Sequence, residues 1–125
     1  CCEMDKIYNY CKKKNIKIIE DSAETLGGTW KKKHPGYWGV GCFSFFPTKN
    51  ITTGEGGMIT CNSKKLYHKF KAMAAHGIQT QSYDREKKKT LPWYKVAVMS
   101  GHNFRMSNLL ASIGYIQIKK MKIKN

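Results

Sequence analysis

Apolar residues near the start of the chain follow the period of an α-helix. Four of them recur at the spacing of one helical face: Met4, Ile7, Tyr8 and Cys11. Lysines at 12–14 follow, where the negative end of the helix dipole favours cations. The pattern predicts a helix over about residues 3–14.

Three short apolar stretches further along predict buried β-strands, at residues 16–20, 42–46 and 56–61. The first comes directly after the predicted helix, and a helix followed by a buried strand is typical of a parallel sheet. Asp21 would then lie at the carboxyl end of that strand. In open α/β sheets, ligands bind at this edge.

Between the first two strands, residues 27–41 are rich in glycine and include Pro35, so we expect a winding loop with a short strand at 29–31. Ser63 is a plausible N-cap for a helix that runs to about residue 75 and stops at Gly77. Three residues of that helix are expected to face inward: Leu66, Phe70 and Met73.

The last part of the chain combines a polar segment with a helix. Residues 79–92 are lysine-rich and predict a mobile surface loop. Ser107 is expected to cap a final helix that carries five apolar residues: Leu109, Leu110, Ile113, Ile116 and Met121.

The composition is that of a globular protein. The chain has 125 residues, 41% of them hydrophobic, and no apolar run of about 18 residues that would predict a membrane helix. The five cysteines lack the spacing of a zinc site, so we expect reduced thiols, mostly buried, and a cytoplasmic protein without a bound metal.

The net charge of +15 raises the hypothesis of a nucleic-acid-binding module. Only Arg85 and Arg105 are arginines, although arginine is favoured for bidentate contacts with bases and phosphates. The lysines fall in scattered clusters. The pattern therefore favours a solvated lysine surface, with neither nucleic acid nor membrane as a partner.

Lys49 is the unusual lysine, because it follows an aromatic strand and precedes a second apolar stretch. Burial among aromatic residues favours the neutral, nucleophilic form of an amine, which Schiff-base chemistry with a carbonyl requires. Three segments around it occur in a fixed order: Glu20-Asp21-Ser22-Ala23-Glu24; Phe43-Ser44-Phe45-Phe46-Pro47-Thr48-Lys49-Asn50 with Thr53-Gly54-Glu55-Gly56-Gly57; and Asn103-Phe104-Arg105-Met106-Ser107.

Together these segments resemble the signatures of the DegT/DnrJ/StrS type of sugar aminotransferase, over about residues 3–121. The resemblance implies an α/β fold, with a mostly parallel sheet and flanking helices. This fold would be part of the large domain that binds pyridoxal 5'-phosphate (PLP) in fold-type I transferases. It also implies that Lys49 forms a Schiff base with PLP and later moves a proton as a released amine.

The resemblance assigns further residues to the cofactor. Asp21 would lie beside the pyridine nitrogen, although an aspartate at a strand end also commonly caps a turn. Glu24 stands near the PLP hydroxyl, where the family commonly has His or Gln. Ser44 would contact the phosphate, with a serine bonded to the backbone as the alternative.

Two residues of the third segment would bind anions. Asn103 matches a residue that reaches the cofactor phosphate of a neighbouring subunit, which implies a homodimer. Arg105 would bind the donor carboxylate or the cofactor phosphate, with a surface salt bridge as the alternative. His76 is better explained as a helix-end histidine than as an acid or base.

The chain also departs from the family pattern. Lys33 stands where a glycine is common, so strain is expected if that position needs positive φ. The resemblance implies that the family's upstream phosphate-loop segment and downstream small domain lie outside residues 1–125. We therefore expect residues 1–125 to be an incomplete large domain that binds PLP poorly on its own.

Three functions follow in order of preference. The first is a PLP-dependent aminotransferase that moves an amino group, with glutamate as the expected donor, onto a nucleotide-linked keto-sugar. The lysine favours this over the family's dehydratase branch, in which a histidine replaces it. The second is a catalytically incompetent fragment of such an enzyme, and the third is a basic nucleic-acid-binding module.

Overall fold

The computed structural model describes residues 1–78 and 95–124, with side chains through Met121. The predicted loop at 79–92 lies outside these residues. The described part contains six elements: α1 (Met4–Lys13), β1 (Ile19–Asp21), β2 (Val40–Ser44), β3 (Gly57–Thr60), α2 (Lys64–Met73) and α3 (Asn108–Lys124). Contacts divide the chain into two compact units, residues 1–62 with 106–125 and residues 63–105.

The three strands form one mixed sheet in the order β1-β2-β3. β1 and β2 are parallel, with Asp21 opposite Cys42. β2 and β3 are antiparallel, with Ser44 opposite Gly57. The predicted α/β class is confirmed, and β2 begins and ends two residues earlier than its apolar run suggested.

The predicted burial of β1 and β3 was wrong. β1 begins at Ile19 and not at residue 16, and Ile19 retains 74% of its accessible surface. β3 is exposed as well. Gly57, Met58 and Ile59 are exposed, and Ile59 retains 54% of its accessible surface. An apolar strand residue is compatible with burial, but burial also requires another element to cover it. The apolar pattern alone does not show whether such a cover exists.

The core of the first unit lies mainly in the turn after β2. Phe45, Ile51 and Thr53 are buried there, at 6%, 3% and 1% exposure. Helix α3 packs on this turn, because Gly114 lies against the Thr53 methyl group and Gln117 Oε1 accepts from Thr52 N at 3.0 Å.

The predicted final helix and its cap are confirmed, since Leu110 N donates to Ser107 Oγ at 3.3 Å. Its apolar residues divide between two faces. Leu110 and Met121 are half-buried. Three others are exposed: Leu109 (74%), Ile113 (42%) and Ile116 (50%).

Helix α2 of the second unit begins as predicted, because the Ser63 hydroxyl accepts from Leu66 N at 3.3 Å. Its three predicted inward residues are half-buried, and Ala72 is fully buried. His76 and Gly77 have φ of 59° and 75°, which turns the chain after the helix. A Cβ at Gly77 would overlap the carbonyl oxygen of Met99, so glycine is required there.

The loop before β2 contains a two-residue hairpin. Trp30 and Lys33 exchange both backbone hydrogen bonds at 2.9 Å, and Lys31 and Lys32 between them have φ of 48° and 60°. This geometry is that of a type I′ turn, in which Asn-Gly is preferred. Lys33 itself has no positive φ, so the condition for strain at that position is not met, and the strain lies in the two preceding lysines.

None of the five cysteines forms a disulfide, but their predicted burial was wrong. Cys1 and Cys2 are exposed, and Cys11, Cys42 and Cys61 are half-buried. Cysteine is a small apolar residue that tolerates partial exposure, so its residue type does not determine its burial. No helix within residues 1–78 or 95–124 is long and apolar enough to cross a membrane.

Candidate active site

Asp21 and Ser44 both lie at the carboxyl edge of the sheet, because they end the parallel strands β1 and β2. This placement confirms the predicted position of Asp21. Its carboxylate is exposed, and Oδ1 accepts a hydrogen bond from Ala23 N at 3.2 Å. Within the described ranges Oδ2 has no partner, so Asp21 caps a turn and still presents a charged oxygen.

Lys49 lies in the turn after β2, and its Nζ contacts Glu24 Oε1 in an ion pair. The lysine side chain is only 18% exposed, whereas that of Glu24 is 72% exposed. A second bond joins the same two segments, because Asn50 Nδ2 donates to the Leu26 carbonyl at 3.1 Å. These contacts hold the lysine against the loop that follows Asp21.

The turn that carries Lys49 is closed at its base by Phe45. The Phe45 carbonyl accepts from Thr53 N at 3.0 Å and from Thr52 Oγ1 at 2.9 Å, while Phe45 N donates to the Gly56 carbonyl at 2.9 Å. Inside the turn, Thr53 Oγ1 donates to the Glu55 carbonyl at 2.7 Å. The Thr-Gly-Glu-Gly-Gly segment therefore serves as the base that fixes the lysine turn.

Glu20 holds the loop that leads into β2, a role that the sequence did not predict. Its side chain is buried, and Oε1 accepts from Trp38 N at 3.0 Å and Gly39 N at 2.7 Å. Two backbone donors stabilise the buried charge, and the bonds fix the loop that enters β2. A charged residue at the inward position of a short strand was the available signal.

Ser44 is half-buried, and its hydroxyl oxygen accepts from Phe46 N at 3.3 Å. A serine bonded to the backbone was the alternative to a phosphate contact, and this bond is observed. Because the oxygen acts as acceptor, the hydroxyl proton stays available for donation to an anion.

Asn103 and Arg105 lie in the second unit, together with His76. Arg105 Nε donates to Asn103 Oδ1, and Arg105 Nη2 lies at hydrogen-bond distance from His76 Nε2, both at 3.3 Å. All three residues are exposed. In the part of the chain that the structure describes, no carboxylate pairs with Arg105, so the surface salt bridge is not observed there.

The groups at the sheet edge fit the chemistry of PLP. That cofactor has an aldehyde, a pyridine nitrogen and a phosphate. The edge presents an amine at Lys49, a carboxylate at Asp21 and a hydroxyl at Ser44, which can respectively bind a carbonyl, a protonated ring nitrogen and a phosphate oxygen. Glu24 forms an ion pair with the Lys49 amine, and this pair would have to break when the cofactor binds.

Comparison with known proteins gives a consistent picture. The model of the DegT/DnrJ/EryC1/StrS aminotransferase family matches residues 1–125. The UDP-4-amino-4,6-dideoxy-N-acetyl-beta-L-altrosamine transaminase of Campylobacter jejuni strain 81-176 is 39% identical over 120 residues. That match covers 95% of this chain and 30% of the transaminase.

Two solved structures share the fold. An aminotransferase from Psychrobacter cryohalolentis superposes with a TM-score of 0.87 at 36% identity, covering 98% of this chain and 31% of the other. A Streptococcus pneumoniae protein described as a sugar aminotransferase, in its PLP-form, superposes with a TM-score of 0.80 at 26% identity, covering 98% of this chain and 34% of the other. The chain thus spans about a third of these proteins, and it belongs to the DegT/DnrJ/EryC1/StrS aminotransferase family, whose members are PLP-dependent enzymes of fold-type I.

Proposed function

We propose that this chain is the lysine-bearing part of the large domain of a PLP-dependent aminotransferase. The reaction is the transfer of an amino group, with glutamate as donor, to a nucleotide-linked keto-sugar. The observation that carries the proposal is the sheltered Lys49 amine, held against the loop after Asp21 at the carboxyl edge of the sheet. Residues 1–125 would form an incomplete domain, consistent with the third of its relatives' length that the chain spans.

Each residue of the edge has a distinct task in this proposal. Lys49 binds the cofactor covalently through Nζ and, once released, carries a proton on that atom between donor and cofactor. Asp21 keeps a proton on the pyridine nitrogen, because its negative charge stabilises the protonated ring. Ser44 donates to the phosphate, and Glu24, which releases the lysine amine when the cofactor binds, lies near the cofactor hydroxyl. When bound, PLP supplies an electron sink for the donor carbon.

The substrate class is supported by two observations. The Campylobacter jejuni relative is named as a transaminase of a UDP-linked sugar. In the second unit, Arg105 has no carboxylate partner among the described residues, and with Asn103 it offers donors suited to a carboxylate or a phosphate.

We propose that Asn103 serves the cofactor phosphate of a second subunit in a homodimer. Cysteines that form no disulfide favour a reducing compartment, consistent with the cytoplasm.

Paired lysine variants test this function. We titrate the chain with PLP, follow the absorbance of the lysine-bound cofactor, and then add glutamate and follow the loss of that band. Lys49→Ala should abolish both the saturable band and its response to glutamate. Lys31→Ala, which removes an exposed lysine that is also paired with a carboxylate, should leave both intact. A saturable band that persists in Lys49→Ala would contradict the proposed role.

Affinity gives a second result. Because phosphate contacts and ring stacking are expected to come partly from segments outside residues 1–125, we expect weak binding by this chain. Two missing charge-assisted contacts of about 1.5–3 kcal/mol each would weaken binding by two to four orders of magnitude. A stoichiometric complex of micromolar affinity that depends on Lys49 would show that residues 1–125 already form a sufficient cofactor site.

A further inference from the structure

His76 makes a contact that its residue type alone did not indicate. Its Nε2 lies 3.3 Å from Nη2 of Arg105. A guanidinium has only donors, so the hydrogen bond requires a lone pair on Nε2. The imidazole of His76 is then neutral, with its proton on Nδ1.

The backbone on both sides of this contact is fixed by hydrogen bonds. His102 N donates to the Met73 carbonyl at 2.7 Å, and His76 N donates to the His102 carbonyl at 2.9 Å. Phe104 N donates to the Ala74 carbonyl at 3.0 Å. The segments that carry His76 and Arg105 are therefore held side by side within the second unit.

The Arg105 guanidinium is held from two directions. Nε donates to Asn103 Oδ1, and Nη2 donates to His76 Nε2. A guanidinium has five N–H groups and these two bonds use two of them, so three N–H groups are left to donate to the oxygens of an anion. Within residues 1–78 and 95–124 no carboxylate neutralises this charge, so an oxyanion is the ligand that the cluster suits.

We propose that His76 is a positioning residue that orders the Arg105 guanidinium for an oxyanion, either a carboxylate or a phosphate. This inference rests on the proposed function for the identity of the anion, which would be the donor carboxylate or the cofactor phosphate. His76 itself does not touch the anion. It acts by holding one end of the guanidinium, so that less side-chain freedom is lost when the ligand binds.

Backbone strain at His76 offers a way to separate this role from a structural one. The φ of 59° is unfavourable for a residue with a Cβ and comfortable for glycine. His76→Gly therefore relieves strain while it removes the acceptor for Arg105. His76→Gln keeps the strain and keeps an acceptor oxygen at about the distance of the imidazole Nε2. A purely structural role predicts that glycine is the better substitute, and a positioning role predicts that glutamine is.

The test uses inorganic phosphate and glutarate as separate probes on the 125-residue chain. NMR follows the Arg105 Nε–H signal during each titration, and the ¹⁵N spectrum of the His76 ring reports which nitrogen carries the proton. We expect His76→Gly to weaken anion binding about three- to tenfold and to broaden the range of Arg105 side-chain motion, with no loss of thermal stability. His76→Gln should stay within about twofold of the wild type. His68→Gln, which changes another exposed histidine of the same unit, should have no effect.

Several results would overturn the proposal: unchanged affinity in His76→Gly, equal losses in the glycine and glutamine variants, a wild-type proton on Nε2, or no binding of either anion. Tighter binding of phosphate than of glutarate would identify the cofactor phosphate as the ligand, and the reverse order would identify the donor carboxylate. PLP capture by Lys49 is measured on the same samples. Failure of that capture with intact anion binding would refute the proposed function and leave the role of His76 standing.

Discussion

Two lysine–carboxylate pairs in the first unit have opposite patterns of burial. In the Lys49–Glu24 pair the lysine side chain is 18% exposed and the carboxylate 72% exposed. In the Lys31–Asp5 pair the lysine is 62% exposed and the carboxylate 26%. The sheltered member is therefore an amine in one pair and a carboxylate in the other. This difference is what the proposed function requires, with Lys49 placed for chemistry and Lys31 for a structural contact.

The Lys31–Asp5 pair joins helix α1 to the strained hairpin. Asp5 accepts from Lys31 Nζ and from Trp30 Nε1, both at 2.6 Å. These hydrogen bonds, the one from Lys31 most, lower the pKa of Asp5 to about 2. Lys31 reaches this carboxylate from the solvent and can leave it at little cost. Lys49, in contrast, is held by a turn whose base is buried, so its position is determined by the fold.

The largest difference between the two regions should appear in stability. Ile51 is 3% exposed and lies in the turn that carries Lys49. Ile51→Ala should lower the free energy of unfolding by about 2–5 kcal/mol, because it removes buried methyl groups and leaves a cavity. Urea unfolding followed by circular dichroism measures this change. The same substitution at Ile16, which is 51% exposed, should cost about 0.5 kcal/mol or less, and equal losses would contradict a buried base for the turn.

The two aspartates should differ in their effect on turnover. Asp21→Asn should retain PLP but slow the glutamate half-reaction by about 10- to 100-fold, because a neutral amide no longer stabilises the protonated pyridine nitrogen. Asp5→Asn changes a carboxylate with a structural partner and should leave the half-reaction rate unchanged. Stopped-flow absorbance after the addition of glutamate measures both variants. A near-normal rate in Asp21→Asn would mean that Asp21 only caps the turn through its hydrogen bond with Ala23.

Neighbouring lysines of the hairpin should respond oppositely to glycine. Lys32→Gly should raise the free energy of unfolding by up to about 1 kcal/mol, because the φ of 60° is strained for lysine and not for glycine. Lys33→Gly should not stabilise the protein, since Lys33 lacks a positive φ and its Nζ lies 4.4 Å from the Tyr37 ring centre. Thermal unfolding of the two variants provides the comparison. Greater stabilisation by Lys33→Gly would mean that the strain lies at Lys33 and not at Lys32.

The smallest effect concerns pH. Because the pKa of Asp5 is lowered from 3.8 to about 2 in the folded state, its ionised form contributes stability above pH 3.8. That contribution should disappear as the pH falls through about 2. The stability difference between the wild type and Asp5→Asn, measured by urea unfolding between pH 2 and 5, should therefore shrink toward the acid end of that range. A constant difference would mean that Lys31 and Trp30 do not stabilise the charge.

The elements with a local physical cause were predictable from the sequence. The apolar spacing of α1 and the serine caps of α2 and α3 depend on contacts within one or two helical turns, and the structure confirms all three helices. The position of Asp21 followed from the end of the apolar run at 16–20, although β1 itself is shorter than that run. The order of the motifs was also sufficient to identify the family, which the family match confirms.

Features that depend on distant partners were not predictable in the same way. Helix α3 has apolar residues around most of its circumference, so its sequence pattern could not select a buried face. Gly114 packs on Thr53 because a glycine permits close approach, while the larger Leu109 and Ile113 remain exposed. The roles of Glu20 and His76 likewise depend on bonds to Trp38, Gly39 and Arg105, which lie 18–29 residues away. The roles of the predicted cofactor residues remain predictions.

Site-selective capture of limiting PLP tests the central claim most directly. The chain is mixed with less than one equivalent of PLP, the lysine-bound cofactor is trapped by borohydride, and mass spectrometry of its peptides determines which lysines carry it. Reaction governed by exposure would favour Lys6, at 72%, or Lys31, at 62%, over Lys49, at 18%. We predict instead that Lys49 carries most of the label. In Lys49→Ala, no single other lysine should take over that label. Labelling that follows exposure, with Lys49 below Lys31, would contradict the claim that Lys49 is the cofactor lysine.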